Sequence, residues 1–221
     1  MNKQVNHRVW DLPTRLFHWS LLLLVCVSLY TGLTGGFMEM DYHMMSGYGI
    51  LGLVIFRVLW GFLGSTHARF TSFLTLQGLA PYTRHLMDRD QPPAVGHNPL
   101  GGWSVVALLL CLLVQAGTGL FANDDIMLEG PLVHLVSDDM SNLLTEVHET
   151  NVVILYLLIG LHLLALTFHE LYRKERLVIP MITGRKAHHN GEPVNIALEW
   201  TSAVILALIT AGLVYWIVNE L

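Results

Sequence analysis

The sequence predicts an all-α integral membrane bundle, a four-helix core with a fifth transmembrane helix appended, and three observations predict it. Of 221 residues, 53% are hydrophobic and only 13% charged, about half the charged share of a soluble domain. Mean hydropathy is +0.51. Five segments are each long and apolar enough to cross a hydrocarbon core, which takes roughly 20 residues. The same composition excludes a disordered chain, a coiled coil and a collagen-like fibre. Cys26 and Cys111 stand alone inside apolar runs, so a zinc ribbon, a disulfide framework and thioether-linked haem have no support. No nucleic-acid partner is expected.

The spans fall at 16–37, 43–64, 102–122, 144–171 and 196–218. The first follows Asp11-Leu12-Pro13-Thr14-Arg15 and ends in Thr34-Gly35-Gly36 without a small-x-small cleavage pattern, so it reads as a retained helix and not a secretory signal. Its expected orientation follows from charge. Lys3, Arg8 and Arg15 precede the first span, and Arg57 lies near the end of the second. Arg69, Arg84 and Arg89 occupy the second loop, and Arg173, Lys174, Arg176, Arg185 and Lys186 the fourth; the first and third loops have neither Lys nor Arg. The positive-inside rule then places the N-terminus in the cytoplasm and the C-terminus outside. The outward side carries ten carboxylates, among them Glu39, Asp41, Asp124, Asp125, Glu129 and Glu149, a surface suited to a basic soluble partner. We read residues 1–221 as one membrane domain, 8–186 as the core and 187–221 as the additional helix.

Of twelve histidines, four lie within spans by depth: His18, His43, His148 and His162. Ionisable residues there are costly and mark sites. His148 and His162 are 14 residues apart on one span, which puts them about 21 Å apart along the axis on nearly the same face. Two stacked b-type haems need that disposition, each with two axial imidazoles. Depth sets the partners. His18 pairs with His162 for the inner haem iron and His43 with His148 for the outer. Gly32, 14 residues after His18, sits where a missing side chain admits a porphyrin at the outer level. Arg57, 14 residues after His43, sits at the inner level, where it can meet haem propionates. His169 is the competing ligand, but it would stretch the separation from His148 to about 31 Å. His188-His189 reads as a solvated loop pair, His67, His85 and His97 as loop residues without metal-ligand spacing, and His134 as an outer-loop residue.

These residues carry a resemblance. Trp10-Asp11-Leu12-Pro13-Thr14-Arg15-Leu16-Phe17-His18-Trp19, His43 with Gly47-Tyr48, and Arg57-Val58-Leu59-Trp60-Gly61-Phe62-Leu63-Gly64 resemble the bacterial cytochrome b561 and nickel-iron hydrogenase b-type cytochrome family, as does the His148/His162 spacing. The resemblance implies a four-helix di-haem b core in the bacterial plasma membrane that exchanges electrons between quinone and a partner protein, with ligands at His18, His43, His148 and His162. The fifth span departs from the simplest members. Thr118 to Asp125 and Pro180 to Lys186 look like a subgroup found beside c-type cytochromes.

The expected function is therefore an electron conduit between the quinone pool and a periplasmic redox protein, more an electron-transfer protein or subunit than an independent catalyst. A stand-alone superoxide:quinone oxidoreductase would need a cationic funnel, and the acidic outer side opposes it. A hydrogenase-associated cytochrome subunit is the other alternative. Gln115, Glu146 and Glu149 are candidates for handling quinol protons.

Overall fold

The computed structural model describes residues 5–89, 92–126, 128–188 and 200–221. Lys3, His189 and the expected start of the fifth span at Ile196 lie outside the described residues. Five helices are long and apolar enough to span a membrane: α1 (Leu12–Thr34), α2 (Phe37–Leu63), α5 (Pro99–Gly119), α6 (Asp138–Thr167, continued by a π-helical turn, Phe168–Tyr172) and α8 (Trp200–Asn219). Short helices α3 (Phe70–Phe73), α4 (Leu79–Arg84) and α7 (Val178–Thr183) lie between them.

Capping residues, more than hydropathy, set the ends. The Asp11 side chain accepts from the Thr14 backbone N–H with Pro13 following, Asn98 caps α5 ahead of Pro99, and Ser137 caps α6. Each helix thus begins before its apolar window: α1, α5 and α6 start four, three and six residues ahead of the expected spans. Gly35 ends α1 in the left-handed region at φ 65°, a conformation that glycine adopts without penalty. Only Gly35 and Gly36 separate α1 from α2. His43 consequently lies six residues inside α2 and not at its start, and Glu39 and Asp41 belong to the helix and not to a loop.

The bundle is two helical hairpins, α1/α2 and α5/α6, joined along α2 and α5, with α8 packed on the other flank of α2. Phe17, Ile50, Val54, Trp60, Leu112 and Leu155 are buried between the hairpins, while Leu23, Tyr30, Leu157, Leu164 and Leu208 face outward. That inversion of a soluble fold's pattern is what a hydrocarbon solvent permits.

One end of the bundle is basic and the other acidic. At the basic end a two-stranded antiparallel ladder pairs β1 (Val5–Arg8) with β2 (Arg185–His188), Arg8 opposite Arg185. The Val9 and Trp10 amides continue it onto the Gly184 carbonyl. An all-α reading contains no such ladder. Four-residue strands at either extremity of the core carry no alternating pattern, and a lone pair of strands is stable only where tertiary contacts hold it. At the acidic end, the segment between α5 and α6 folds back on itself. Gly130 donates to the Ala122 carbonyl at 2.7 Å, and a Cβ at Gly130 would meet the Leu120 oxygen at 2.4 Å. Ser141 anchors this segment to α6 by donating to the Phe121 carbonyl at 2.7 Å.

Candidate functional site

Near the acidic end, His43 of α2 and His148 of α6 face one another with ring centroids 6.1 Å apart and planes at 81°. A metal–imidazole bond is about 2 Å and the ring centre lies about 1 Å further, so two imidazoles sharing one ion stand about 6 Å apart, centre to centre. The two rings are already at that separation. They border a cavity of about 250 Å³ that Val25, Gln115, Gly119 and Leu155 also line, with the carboxylates of Asp124, Glu129 and Glu149 on its wall.

The rings are also held in one tautomer. His43 Nδ1 lies 2.9 Å from the Ser28 carbonyl oxygen of α1, and His148 Nδ1 lies 2.9 Å from the Gln115 carbonyl oxygen of α5. A carbonyl only accepts, so each Nδ1 carries the proton and donates it. Each Nε2 is left with its lone pair, the state a metal ligand needs.

The two supports repeat each other. Four residues beyond Ser28 is Gly32, and four beyond Gln115 is Gly119. A Cβ on Gly32 would come within 3.0 Å of the His43 ring, and one on Gly119 within 3.0 Å of the His148 ring. Each glycine sits in a Thr-Gly-Leu triplet, 31–33 and 118–120, whose threonine hydroxyl bonds back to the carbonyl four residues earlier, Val27 at 2.8 Å and Val114 at 2.7 Å. Gly119 was not among the expected site residues. The repeated triplet one helix before each histidine was the available signal, legible only once the helices are paired. Gly119→Val is expected to displace His148 and remove a bound haem. Gly117→Ala, where a Cβ meets nothing within 4 Å, is expected to leave haem content unchanged, as read by haem per chain.

Gln115 is occupied structurally. Its amide donates to the His148 carbonyl at 3.0 Å and its side-chain oxygen accepts from Asn151 at 2.7 Å, fastening α5 to α6 behind the His148 ring. Glu146 and Glu149 are exposed, and only Glu149 lines the cavity.

Toward the basic end, His18 of α1 and His162 of α6 lie close enough for their charges to interact, and both are half-buried. His18 Nδ1 is sealed from solvent with no hydrogen-bond partner, unlike the anchored rings at the other end. Arg57 is 2% exposed, so it does not reach out to the interface. Its guanidinium lies over the Phe70 ring, 5.1 Å from the centroid, within the field of Asp11. His169 is turned away from this stack. The π-helical turn carries it to Glu175, whose Oε2 lies 3.0 Å from its Nδ1, and Lys186 binds the other carboxylate oxygen at 2.8 Å. Burial raises the pKa of Glu175, but its bonds to His169 and Lys186 outweigh that and hold it down at about 2. His67 and His97 come together beside Arg57 although they stand 30 positions apart in the chain. His85 and His134 stay in their loops, the latter bonded to the Leu221 carbonyl at 2.7 Å.

The donor set suits haem iron: two facing imidazoles at the acidic end, each with its Nδ1 anchored, and toward the basic end a second pair of histidines within each other's field, one of them with an unpartnered nitrogen. No cluster of three or more His, Cys, Asp or Glu residues suited to a bare metal ion occurs among the described residues. A family model described as prokaryotic cytochrome b561 matches residues 9–184. No curated protein and no solved structure matches the chain.

Proposed function

Because the chain belongs to the prokaryotic cytochrome b561 family, and is thereby a multi-pass b-type cytochrome of bacterial electron transfer, we propose that it binds two haems b and conducts electrons between the quinone pool and a redox protein outside the inner membrane. His18 and His162 ligate the inner haem, His43 and His148 the outer one. Residues 8–186 form that core, and α8, which carries no histidine, is a packing helix. The observation that carries this reading is the 6.1 Å separation of the His43 and His148 rings.

Bound haem supplies one-electron chemistry at the two levels, and the rest falls to the chain. Ser28 and Gln115 fix the tautomer of the outer imidazoles. Gly32 and Gly119 leave the space beside those rings that a side chain would fill. Leu51, Val54 and Leu155 exclude water from the interior, where a low dielectric keeps charge on its intended groups. Gln115 is committed to Asn151 and His148, which leaves Glu149 as the residue of the three candidates that can meet a quinol from the cavity.

The basic end faces the cytoplasm, with the N-terminus inside and the C-terminus outside, as the distribution of Lys and Arg supports. The acidic end then meets the partner. Association steered by charge falls steeply with ionic strength. Quinol-driven reduction of a basic soluble c-type cytochrome is expected to slow at least about 10-fold between roughly 10 and 200 mM salt, while reduction of a neutral acceptor is unchanged. Equal salt dependence for the two acceptors would count against docking on this face.

A further inference from the structure

We propose that Arg57, His67 and His97 form a receptor for one carboxylate, a propionate of the haem held by His18 and His162. The proposal rests on the di-haem reading above and adds two residues that it does not use.

Among the sealed side-chain nitrogens without hydrogen-bond partners at the basic end are His18 Nδ1, an Arg57 guanidinium nitrogen, His67 Nε2 and His97 Nδ1. Native interiors rarely leave such groups unsatisfied, and each one asks what acceptor belongs there. Leaving His18 to its iron, the other three come from α2, from the turn after it, and from the segment leading into α5. They meet at His97, which interacts electrostatically with both Arg57 and His67.

The three side chains are built in. His97 stands edge-on to Trp10, with centroids 4.7 Å apart, and lies 4.4 Å from the Phe73 ring. Gly96 lets the chain pass His67, whose Nδ1 a Cβ there would approach to 3.3 Å. Arg57 rests on Phe70. Nearby carboxylates are already committed. Asp11 accepts from the Thr14 amide at 2.7 Å, from Trp60 Nε1 at 3.1 Å and from the Ser65 hydroxyl, and Glu175 is taken by His169 and Lys186. Burial first, then the fields of Arg57 and His67, hold the pKa of His97 down at about 3. It stays neutral at physiological pH and offers one N–H.

A permanent cation beside two neutral imidazoles, each of which can turn one N–H toward it, suits an anion that only accepts. Its depth identifies the anion. Arg57 is 14 residues beyond His43 on α2, as His162 is beyond His148 on α6, so both lie about 21 Å below the outer pair. A carboxylate carried on a porphyrin held by His18 and His162 would lie at this level of the bundle.

The test is redox-difference infrared spectroscopy on the full chain loaded with haem that is ¹³C-labelled at the propionate carboxyls, together with haem content and stepwise potential titration. In the unsubstituted protein, one haem is expected to show a carboxylate stretch displaced from that of a water-exposed propionate. In His97→Phe and His67→Phe that band is expected to move back and the potential of the same haem to fall, with the other haem unaltered. The double variant is expected to retain one haem of two, and His97→Gln, which keeps an N–H, to retain both. Unsubstituted protein whose labelled bands all match water-exposed propionate would overturn the proposal without needing any variant. So would variants that keep two haems with unmoved bands and potentials. Either result leaves the di-haem reading intact, whereas a single haem in the unsubstituted protein overturns that reading itself.

Discussion

His148→Ala and His43→Ala are each expected to retain one haem per chain where the unsubstituted protein retains two. An axial ligand counts for more than the groups that orient it, whose loss already weakens metal sites by about 10- to 100-fold, so the outer haem should wash out during purification. The remaining haem should keep its low-spin spectrum and its potential, because His18 and His162 lie about 21 Å further along the bundle. His18→Ala and His162→Ala are expected to give the complementary loss. His85→Ala, at an exposed loop position, should leave both. Loss of the same haem from His148→Ala and His162→Ala would contradict pairing by depth, which makes this series informative even if every variant folds less well than its parent.

Glu175→Ala is expected to destabilise the basic end by about 3–5 kcal/mol, the range for removing one partner of a buried ion pair, since it leaves His169 and Lys186 facing each other without their carboxylate. The same residue gives a pH dependence with a defined sign. Its folded pKa of about 2 lies below the unfolded value of about 4.3. The stabilisation is therefore complete above the unfolded value and fades as pH falls through the folded one, between about pH 4.5 and 2, amounting to about 3 kcal/mol. The side chain is only 8% exposed, so solvent screening takes little from it. Thermal unfolding in detergent should show the gap between parent and Glu175→Gln widest near neutral pH and narrowing in acid. A gap that stays constant from pH 7 to 3 would count against a charged Glu175 at this position.

The spans, and the histidines proposed as ligands, could be read from the sequence because each rests on a periodicity. Apolar runs of membrane length have no other use, and the 14-residue interval between His148 and His162 returns to one helix face without reference to any other part of the chain. Helix ends were less legible because caps lie outside the apolar window; α6 begins at Asp138, in a stretch that hydropathy alone assigns to a loop. Gly32 could be anticipated from its interval to His18. Gly119 could not, having no histidine on its own helix to be measured from, and its role emerges only when α5 is laid against α6. His67 and His97 were hidden for a related reason. Their loop has no period, and nothing local reveals that a turn after α2 and the approach to α5 meet over Arg57. The β1/β2 ladder and the π-helical turn that diverts His169 to Glu175 are likewise products of tertiary closure.

The account stands most directly on the number of haems and the state of their iron. Haem b per chain by the pyridine haemochrome method, with quantitative electron paramagnetic resonance of the oxidised protein, measures both. The account predicts two haems b per chain and two low-spin ferric signals of equal weight. One haem per chain, or a high-spin signal accounting for half the iron, would contradict it.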